Sequence, residues 1–337
     1  MHNFIEELKE YENLLVITNG QLTSKNVNDN FEVVEASQGD ERVGDYYKKA
    51  LKDDQNPSEK IIFVNQKQST SEMIQIIFVY EGDQNVNEHL IVASDKFSKL
   101  NVIENRVNLN NDRIDVLTKV EVIVDDESNI DYLVFNDLNT KVDATINRHT
   151  KVYRNASYNC AFAELSEGNT FGDYYTDLAA EGAVCDSKAV TIVKEDKKQQ
   201  FDININHSAK HTVSHNLNRA VVDEKGSAVF NAIGFIAKGY SQSKCFQDSK
   251  MLTLSPDAKT ECNPILLIDE YDVEANHAAA VGQLDEESMY YLQSRGLSKK
   301  QCEKLLIYGF LMPVAEVIES EELKEKFITN ITKKLNI

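Results

Sequence analysis

Five cysteines are the residues of this chain best suited to bind metal or sulfur, and no two of them lie close together in sequence. They are Cys160, Cys185, Cys245, Cys262 and Cys302. An odd number of widely spaced cysteines without a CxxC pair fits neither a disulfide framework nor a structural zinc site. The pattern therefore predicts reduced thiols, each of which is by default a small buried apolar side chain.

Three histidines repeat at a spacing that can bind metal. His207, His211 and His215 recur every four residues, which on a helix would align three imidazoles on one face for zinc. The alternating sequence FDININ precedes them and predicts a strand instead. We therefore expect hydrogen-bonded surface or coil-stacking histidines, with zinc as the alternative.

A further histidine, His277, follows two acidic residues. Asp272 and Glu274 precede it, and a neutral imidazole beside carboxylates is a suitable ligand set for ferrous iron, whereas an iron-sulfur cluster prefers cysteine thiolate. A single histidine is equally well explained as a hydrogen-bonded structural residue. The residues alone leave both interpretations open.

Motifs for nucleotide binding and hydrolysis are missing from the sequence. There is no GxxxxGK[ST] loop, no GxGxxG after a strand, no GxSxG elbow and no HExxH pair. The sequence therefore predicts that the chain is not an enzyme, and that any ATP is hydrolysed by a partner.

Charge and hydropathy narrow the classes of partner and location. The chain has 36 Lys and Arg against 55 Asp and Glu, so its net charge is -19. Such an acidic surface repels nucleic acid and anionic lipid and suits a basic patch on a protein. No apolar run approaches the roughly 20 residues that span a bilayer, and we expect a cytoplasmic protein.

The order of the sequence patterns predicts three regions. Residues 1–90 mix helix and strand signals, residues 91–272 carry many short β-branched runs between polar turns, and residues 273–337 are helical. Short strands at near-regular spacing predict a sandwich, a barrel or a solenoid. Asparagines at the ends of the runs favour the solenoid, because Asn tolerates the left-handed backbone of tight corners. An ordinary antiparallel sandwich stays the alternative. The asparagines are Asn105, Asn108, Asn136, Asn139, Asn155, Asn159, Asn204 and Asn206.

Helix signals near the C-terminus are specific. Asp285 can cap a first helix that ends at Gly296, and Ser298 with Gln301 forms a capping box for a second helix. A third helix carries an apolar stripe at i, i+4 spacing. The stripe consists of Leu323, Phe327, Ile331 and Leu335.

The segment 263–310 resembles the C-terminal signature of the SufB/SufD family of iron-sulfur cluster assembly proteins. The matching pieces are ILLID, DVEANH, GQLDEE and YYLQSRGL, in the family's order, and weaker likeness extends upstream. SufB members usually have His-Glu-Ala where this chain has His277, Ala278 and Ala279, so the missing Glu favours the SufD side. SufD members often carry Cys two residues before the His, where this chain has Ala275.

This resemblance implies a mainly β protein, a right-handed parallel β-helix with a small α/β N-terminal region and a C-terminal helical bundle. It implies pairing with a SufB-like subunit through β-helix strands, docking of a SufC-like ABC ATPase on the C-terminal helices, and an iron-sulfur cluster or iron held transiently in the complex only. His277 would be a metal ligand at the subunit interface. Cys245 is a weaker candidate, because the family's acceptor cysteine aligns nearer Ser249. The residues implied to face the ATPase are Leu284, Met289, Tyr290, Leu292, Arg295, Leu305 and Phe310.

Two other functions fit the sequence. A SufB-like or self-pairing homolog would form a homodimer and take the roles of both the SufB-like and the SufD-like subunit. A carbohydrate-active β-helix enzyme would use Asp272 and Glu274 as acid and base. The absence of Trp weighs against the enzyme, since sugar-binding clefts commonly offer an indole ring.

Overall fold

A computed structural model describes residues 12–36, 43, 61–66, 72–109, 112–315 and 321–334. Most of these residues lie in strands, and three helices follow the last strand. The strands are β1 (Leu14–Thr18), β2 (Gln21–Asn26), β3 (Phe31–Ala36), β4 (Ile61–Gln66), β5 (Met73–Tyr80), β6 (Val86–Ser94), β7 (Lys99–Asn108), β8 (Ile114–Val124), β9 (Asn129–Asp137), β10 (Val142–Val152), β11 (Ser157–Glu164), β12 (Thr170–Leu178), β13 (Val184–Val193), β14 (Lys198–His207), β15 (Val213–Val222), β16 (Ser227–Ile236), β17 (Ser243–Thr253), β18 (Lys259–Ile268) and β19 (Val273–Gln283). The helices are α1 (Glu286–Ser294), α2 (Lys299–Ala315) and α3 (Glu321–Lys334).

The strands form two sheets that run the length of a parallel β-solenoid. From β5 onward the odd-numbered strands stack side by side in the first sheet, and from β4 onward the even-numbered strands do so in the second. Each coil contributes one strand to each sheet, and register partners in neighbouring coils lie 26 to 32 positions apart along the chain, as for Ala144 with Thr170 and Ser227 with Lys259. This parallel pairing confirms the predicted β-helix and rules out the antiparallel sandwich.

One corner of the solenoid repeats a left-handed residue from coil to coil. In each coil the N–H of this residue donates to a backbone carbonyl of the next coil, as Glu127 does to Arg154 at 2.8 Å. The prediction for asparagine holds only at Asn155, because the other seven predicted corner residues have negative φ and most of them lie within strands. The left-handed residues of this corner are Phe97, Glu127, Asn155, Gly182, His211 and Gln242.

Aromatic rings stack through the interior and tie the coils together. The rings of Phe162 and Tyr174 lie 4.8 Å apart, those of Tyr174 and Phe201 6.0 Å apart, and those of Phe201 and Phe230 5.6 Å apart. Gly172 makes room for them, since a Cβ there would meet Phe201 at 2.7 Å. In-register parallel pairing thus places apolar side chains of successive coils in continuous interior rows.

Buried ion pairs cross the interior between β6 and β10. The Arg106 guanidinium donates to Glu88 Oε1 at 2.6 Å and to Glu104 Oε1 at 2.7 Å, and Arg148 donates to Glu104 Oε2 at 2.9 Å. Burial raises the pKa of Glu104, but Arg148, Arg106 and the Tyr132 hydroxyl together outweigh burial and lower this pKa to about 2. Two arginines and two glutamates therefore balance one another inside the solenoid.

Another interior carboxyl, Glu164, behaves in the opposite way. Burial raises its pKa, and hydrogen bonds from Tyr174 and Asn136 only partly oppose that effect. Without a guanidinium in contact, this carboxyl is shifted toward its neutral form.

The C-terminal helices begin and end where the sequence predicts. The backbone N–H of Ser288 donates to Asp285 Oδ2 at 2.8 Å, and Gly296 stops α1 with a φ of 95°. The N–H of Ser298 donates to Gln301 Oε1 at 2.8 Å, which is half of the capping box that opens α2.

Helices α2 and α3 pack on the outer face of the first sheet. Ile307, Phe327 and Ile331 are buried there against a row of apolar sheet residues that includes Leu133 and Phe135. Two of the four residues of the predicted stripe, Phe327 and Ile331, therefore face this sheet. The side chains of Leu323 and Leu335 lie outside the described residues.

The strand stack crosses both of the region boundaries drawn from the sequence. It already includes β5, which begins before residue 90, and it continues to Gln283, past residue 272. The helix signals within residues 1–90 fall almost entirely outside the described residues. None of the helices in the described part of the chain is both long and apolar enough to cross a bilayer.

We predict that Glu104→Gln destabilises the fold strongly, because it leaves Arg106 and Arg148 buried without a carboxylate between them. Breaking a buried pair in this way costs about 3–5 kcal/mol of unfolding free energy. Chemical denaturation followed by circular dichroism measures the loss. Glu164→Gln is the matched control in the same interior, and we expect it to lose much less, because Glu164 bonds to Tyr174 and Asn136, so its replacement takes no carboxylate away from an arginine.

The pH dependence checks the same ion pairs. The pKa of Glu104 is lower in the folded protein than its ordinary value of 4.5. The contribution of Glu104 to the free energy of unfolding is therefore complete above pH 4.5 and is lost as the pH falls toward about 2. The wild-type protein should therefore lose more stability over this range than Glu104→Gln does. Equal losses for the two proteins would show that the ion pairs do not stabilise the fold.

Candidate functional site

The solenoid ends with two free strand edges on its C-terminal side. β19 is the last strand of the first sheet and β18 the last strand of the second, and neither pairs with a further strand in the described part of the chain. The other end differs, because β2 and β3 close it with antiparallel pairing to β1 and β4. On β18 the inward-facing residues Pro264, Leu266 and Ile268 are only half buried, so the interior opens toward solvent here.

Glu270 shapes the last corner before β19. Its carboxylate accepts the backbone N–H of Gly239 at 2.7 Å and that of Tyr271 at 2.8 Å, and these bonds lower its pKa. The corner thereby holds Tyr271 fully exposed beside the free edge.

His277 lies on β19 at this open end. It is exposed and in register with Gln247 of β17, while Ala275 is in register with Cys245. Alternate residues of a strand share a face, so His277 lies on the same interior side as Cys245. It is on the neighbouring strand, two residues beyond Ala275, the register partner of Cys245. The structure therefore brings the two predicted ligand candidates close together.

Cys245 itself is enclosed. Its side chain is buried, and burial raises the pKa of the thiol despite a hydrogen bond with Ser214. Gly234 on the facing sheet leaves the space that the sulfur occupies, since a Cβ there would lie 2.5 Å from Cys245 Sγ. A buried thiol with a raised pKa is protonated at neutral pH and a weak nucleophile. Ser249, the alternative position, lies on the same face and is also buried.

The two carboxylates predicted beside His277 do not lie next to it. Glu274 is three residues away on the strand, so it points to the opposite face, where it pairs with Lys244 at 3.1 Å. Asp272 lies in the corner, and its backbone carbonyl accepts from Gln242. The suggested ligand set of imidazole and these carboxylates is therefore wrong.

The three evenly spaced histidines are also apart. His207 ends β14 and is buried, with ring nitrogens 2.7 Å from the Thr212 hydroxyl and 2.9 Å from that of Ser214, and burial lowers its pKa to about 4. His211 occupies the left-handed corner, and His215 lies on β15 stacked on Phe246. The predicted hydrogen-bonded and stacking roles fit, although His207 is an interior rather than a surface residue.

All five cysteines are free thiols, as predicted. Cys160 and Cys185 lie on neighbouring strands in the interior, and their contact raises the pKa of Cys185. Across the described residues, no three His, Cys, Asp or Glu side chains are close enough together to hold a metal ion.

An interior polar row leads to His277, and sequence reasoning missed it. In-register pairing aligns Cys160, Ser187, Asn216, Gln247 and His277 on five successive strands of the first sheet. Asn216 is buried, and among the described residues neither of its amide atoms has a hydrogen-bond partner. The spacing between these residues varies from coil to coil, so no repeat in the sequence points to the row.

Helices α1 and α2 form a hairpin beside the free edge. α1 buries none of its residues fully, and it borders a cleft of about 410 Å³ that includes Tyr291, Leu292 and Leu305. Of the residues predicted to face a partner, Tyr290, Arg295 and Leu305 are exposed, and Met289 and Leu292 are half buried. Leu284 and Phe310 instead pack partly against the helix-covered face of the first sheet.

Phe310 also seats α2 on the sheet. Its ring lies 5.8 Å from the guanidinium carbon of Arg219, which is held by the Asp248 carboxylate at 3.1 Å. Leu284 and Phe310 therefore hold the hairpin on the sheet, while the other residues predicted to face a partner form its surface.

Comparison with known proteins agrees with this architecture. The family model for the SUF system FeS cluster assembly SufBD core domain matches residues 77–310, from within β5 to within α2. The iron-sulfur cluster assembly protein SufD of Bacillus subtilis is 32% identical over 265 residues, which are 78% of this chain and 61% of that protein. SufD of Escherichia coli is 25% identical over 206 residues, 60% of this chain and 45% of that protein.

A more distant relative is the SufD protein of Plasmodium falciparum. It is 24% identical over 272 residues, which are 79% of this chain and 18% of that protein. This chain thus spans less than two thirds of the length of each of these relatives. With the family model covering most of the solenoid and α1 and α2, the chain belongs to the SufB/SufD family and is a SufD-type member.

Proposed function

We propose that this chain is a non-catalytic subunit of a SUF iron-sulfur cluster assembly complex. It pairs with a second β-helix subunit through β18 and β19, docks an ABC-type ATPase on α1 and α2, and contributes His277 as a ligand to iron or a nascent cluster. The observation that carries this proposal is the open C-terminal end of the solenoid, where free strand edges, His277 and the helical hairpin lie together.

The free edges support pairing with another β-helix. An exposed strand edge is a template for a further strand, and proteins normally cover or cap it. A solenoid end needs a cap for the same reason, and this one exposes apolar residues such as Val281. A SufB-like subunit would extend both sheets and close the interior.

The position of His277 supports a ligand role at that interface. Imidazole binds iron well, and a cluster prefers thiolate ligands. One exposed imidazole does not fill a coordination sphere, so the remaining ligands would come from the partner subunit. The cluster is the cargo of the complex in this proposal.

The helical hairpin supports docking of the ATPase. Tyr290 and Leu305 are large and exposed, and Leu305 lines the cleft. Exposed aromatic side chains such as Tyr290 commonly dominate binding energy. Phe310 and Leu284 hold the hairpin on the sheet, so the surface is presented on a rigid support.

We predict that this chain, co-expressed with a SufB-like and a SufC-like subunit from the same source, purifies with both. Val281→Lys should weaken pairing with the SufB-like subunit by about tenfold, because it places a charge in the joined interior. Leu117→Lys, a similar change on the outer face, is the control. A chain that never enters the complex would refute the assignment, and a stable homodimer that binds only the ATPase would indicate the self-pairing alternative.

A second prediction concerns the hairpin. Tyr290→Ala combined with Leu305→Ala should weaken binding of the ATPase by about tenfold or more while leaving subunit pairing unchanged. Isothermal calorimetry with the purified ATPase measures this. Lys300→Ala, an exposed change at the start of α2, is the control, and equal affinities for both variants would remove the hairpin as the docking surface.

A third prediction concerns the ligand. His277→Ala should lower the iron and sulfide content of the purified complex without changing its subunit composition, because only a ligand is lost. Elemental and sulfide analysis checks this, with His215→Ala as the control histidine on the outer face. Unchanged iron and sulfide would exclude His277 from the site.

A further inference from the structure

Four apolar side chains stand together on the outer face of the second sheet, and we call them the outer patch. Ile233 and Phe235 lie on β16, and their register partners on β18 are Ile265 and Leu267. Phe235 is 42% exposed, Ile265 39% and Leu267 50%. These side chains are spaced two apart along their strands, so they share the face that points away from the interior.

Most of the apolar outer surface elsewhere in the solenoid is covered, although single side chains such as Leu117 and Phe171 are exposed. Helices α2 and α3 bury that of the first sheet. Near the N-terminal end of the second sheet, Ile91 and Ile123 are buried in a cluster with Val43 and Ala36. The outer patch is left exposed by the described part of the chain, and contiguous exposed apolar groups of this kind mark interaction sites.

The dimensions of the outer patch fit one helix. Neighbouring strands lie about 4.8 Å apart, and alternate residues along a strand about 6.6 Å apart. The outer patch and its margins are therefore roughly 10 Å wide, which is the diameter of a single helix with side chains. The chain itself covers its first sheet with helices, so a helix is the matching cover for the second.

Charge selects the kind of helix. On the same face of β18, Lys259 and Glu261 precede the apolar pair, and Asp269 follows the strand directly. All three are exposed, so carboxylates lie at both ends of the apolar pair and outnumber the one cation. The whole chain has a net charge of -19. A second copy would bring the same carboxylates to the contact and be repelled.

The chain's own first residues are no better matched to the outer patch. Glu6, Glu7 and Glu10 outnumber Lys9 in that stretch, so it is acidic as well. A helix with lysines or arginines at its margins is complementary, since opposite charges across an interface speed association and favour the correct partner.

We propose that the outer patch binds one basic amphipathic helix of a partner protein. The apolar stripe of this helix packs on Phe235 and Leu267, and its cations face Glu261 and Asp269. The outer patch includes Ile265 and Leu267 of the edge strand β18, but these side chains point away from the interior that a second β-helix subunit would close. Failure of the peptide to bind would therefore leave the proposed function standing.

The test uses the full-length chain and a labelled synthetic peptide of about 14 residues, roughly four helical turns. Its leucines lie at i, i+3, i+4 and i+7, its polar face carries lysines, and a twin peptide carries glutamates instead. Fluorescence anisotropy should show binding of the lysine peptide, and Leu267→Ser and Phe235→Ser should each weaken it about tenfold. Glu261→Gln with Asp269→Asn should reduce its dependence on salt.

Leu117→Ser is the matched control, because Leu117 lies on the same sheet with 43% exposure. Circular dichroism and denaturation establish that each variant is folded. Equal binding of the two peptides, or equal binding by Leu267→Ser and Leu117→Ser, would overturn the proposal. So would a dimer in sedimentation that Leu267→Ser abolishes, because a second copy would then be the occupant.

Discussion

Parallel pairing between successive coils is the constraint on which the rest of this structure depends. Each strand hydrogen-bonds in register to the strand one coil before it and one coil after it, so side chains at matching positions fall into rows. A row that points inward becomes core, and a row that points outward becomes surface. Stacking of coils always leaves an unpaired strand edge on the last coil unless another element covers it. In the described part of the chain, the fold therefore leaves unpaired strand edges at β18 and β19.

The register between coils also fixes where polar side chains lie inside the solenoid. A charged residue in an inward row is held wherever the register puts it, and a buried charge is stable only when it is paired and hydrogen-bonded. Glu104 meets this condition between two guanidinium groups. Glu164 is hydrogen-bonded but not paired with a cation, and burial raises its pKa, which favours its neutral form. The side chain of Asn216, in the row that leads to His277, has no hydrogen-bond partner within the part of the chain that the structure describes.

The outer faces of the two sheets differ in how they are covered. Helices α2 and α3 pack on the outer face of the first sheet, with Phe310 near Arg219. The apolar residues of that face are thus covered by helices of the same chain. That packing also orients the exposed hairpin beside the free edge. The second sheet is covered only toward its N-terminal end, which leaves the outer patch beside the same free edge. The free strand edges, the exposed hairpin and the outer patch thus all lie toward the C-terminal end of the solenoid.

Local signals in the sequence determined the helix caps at Asp285 and Ser298, the reduced thiols and the predominance of short strands. They did so because caps, cysteine spacing and strand propensity depend on neighbours along the chain. The motif around His277 also identified the family. Tertiary structure alone decided that Cys245 and His277 share a face, that Glu274 does not, and that Arg148 meets Glu104. These relations depend on the register between coils of unequal length, and a shift of one residue would move every side chain of a strand to the other face.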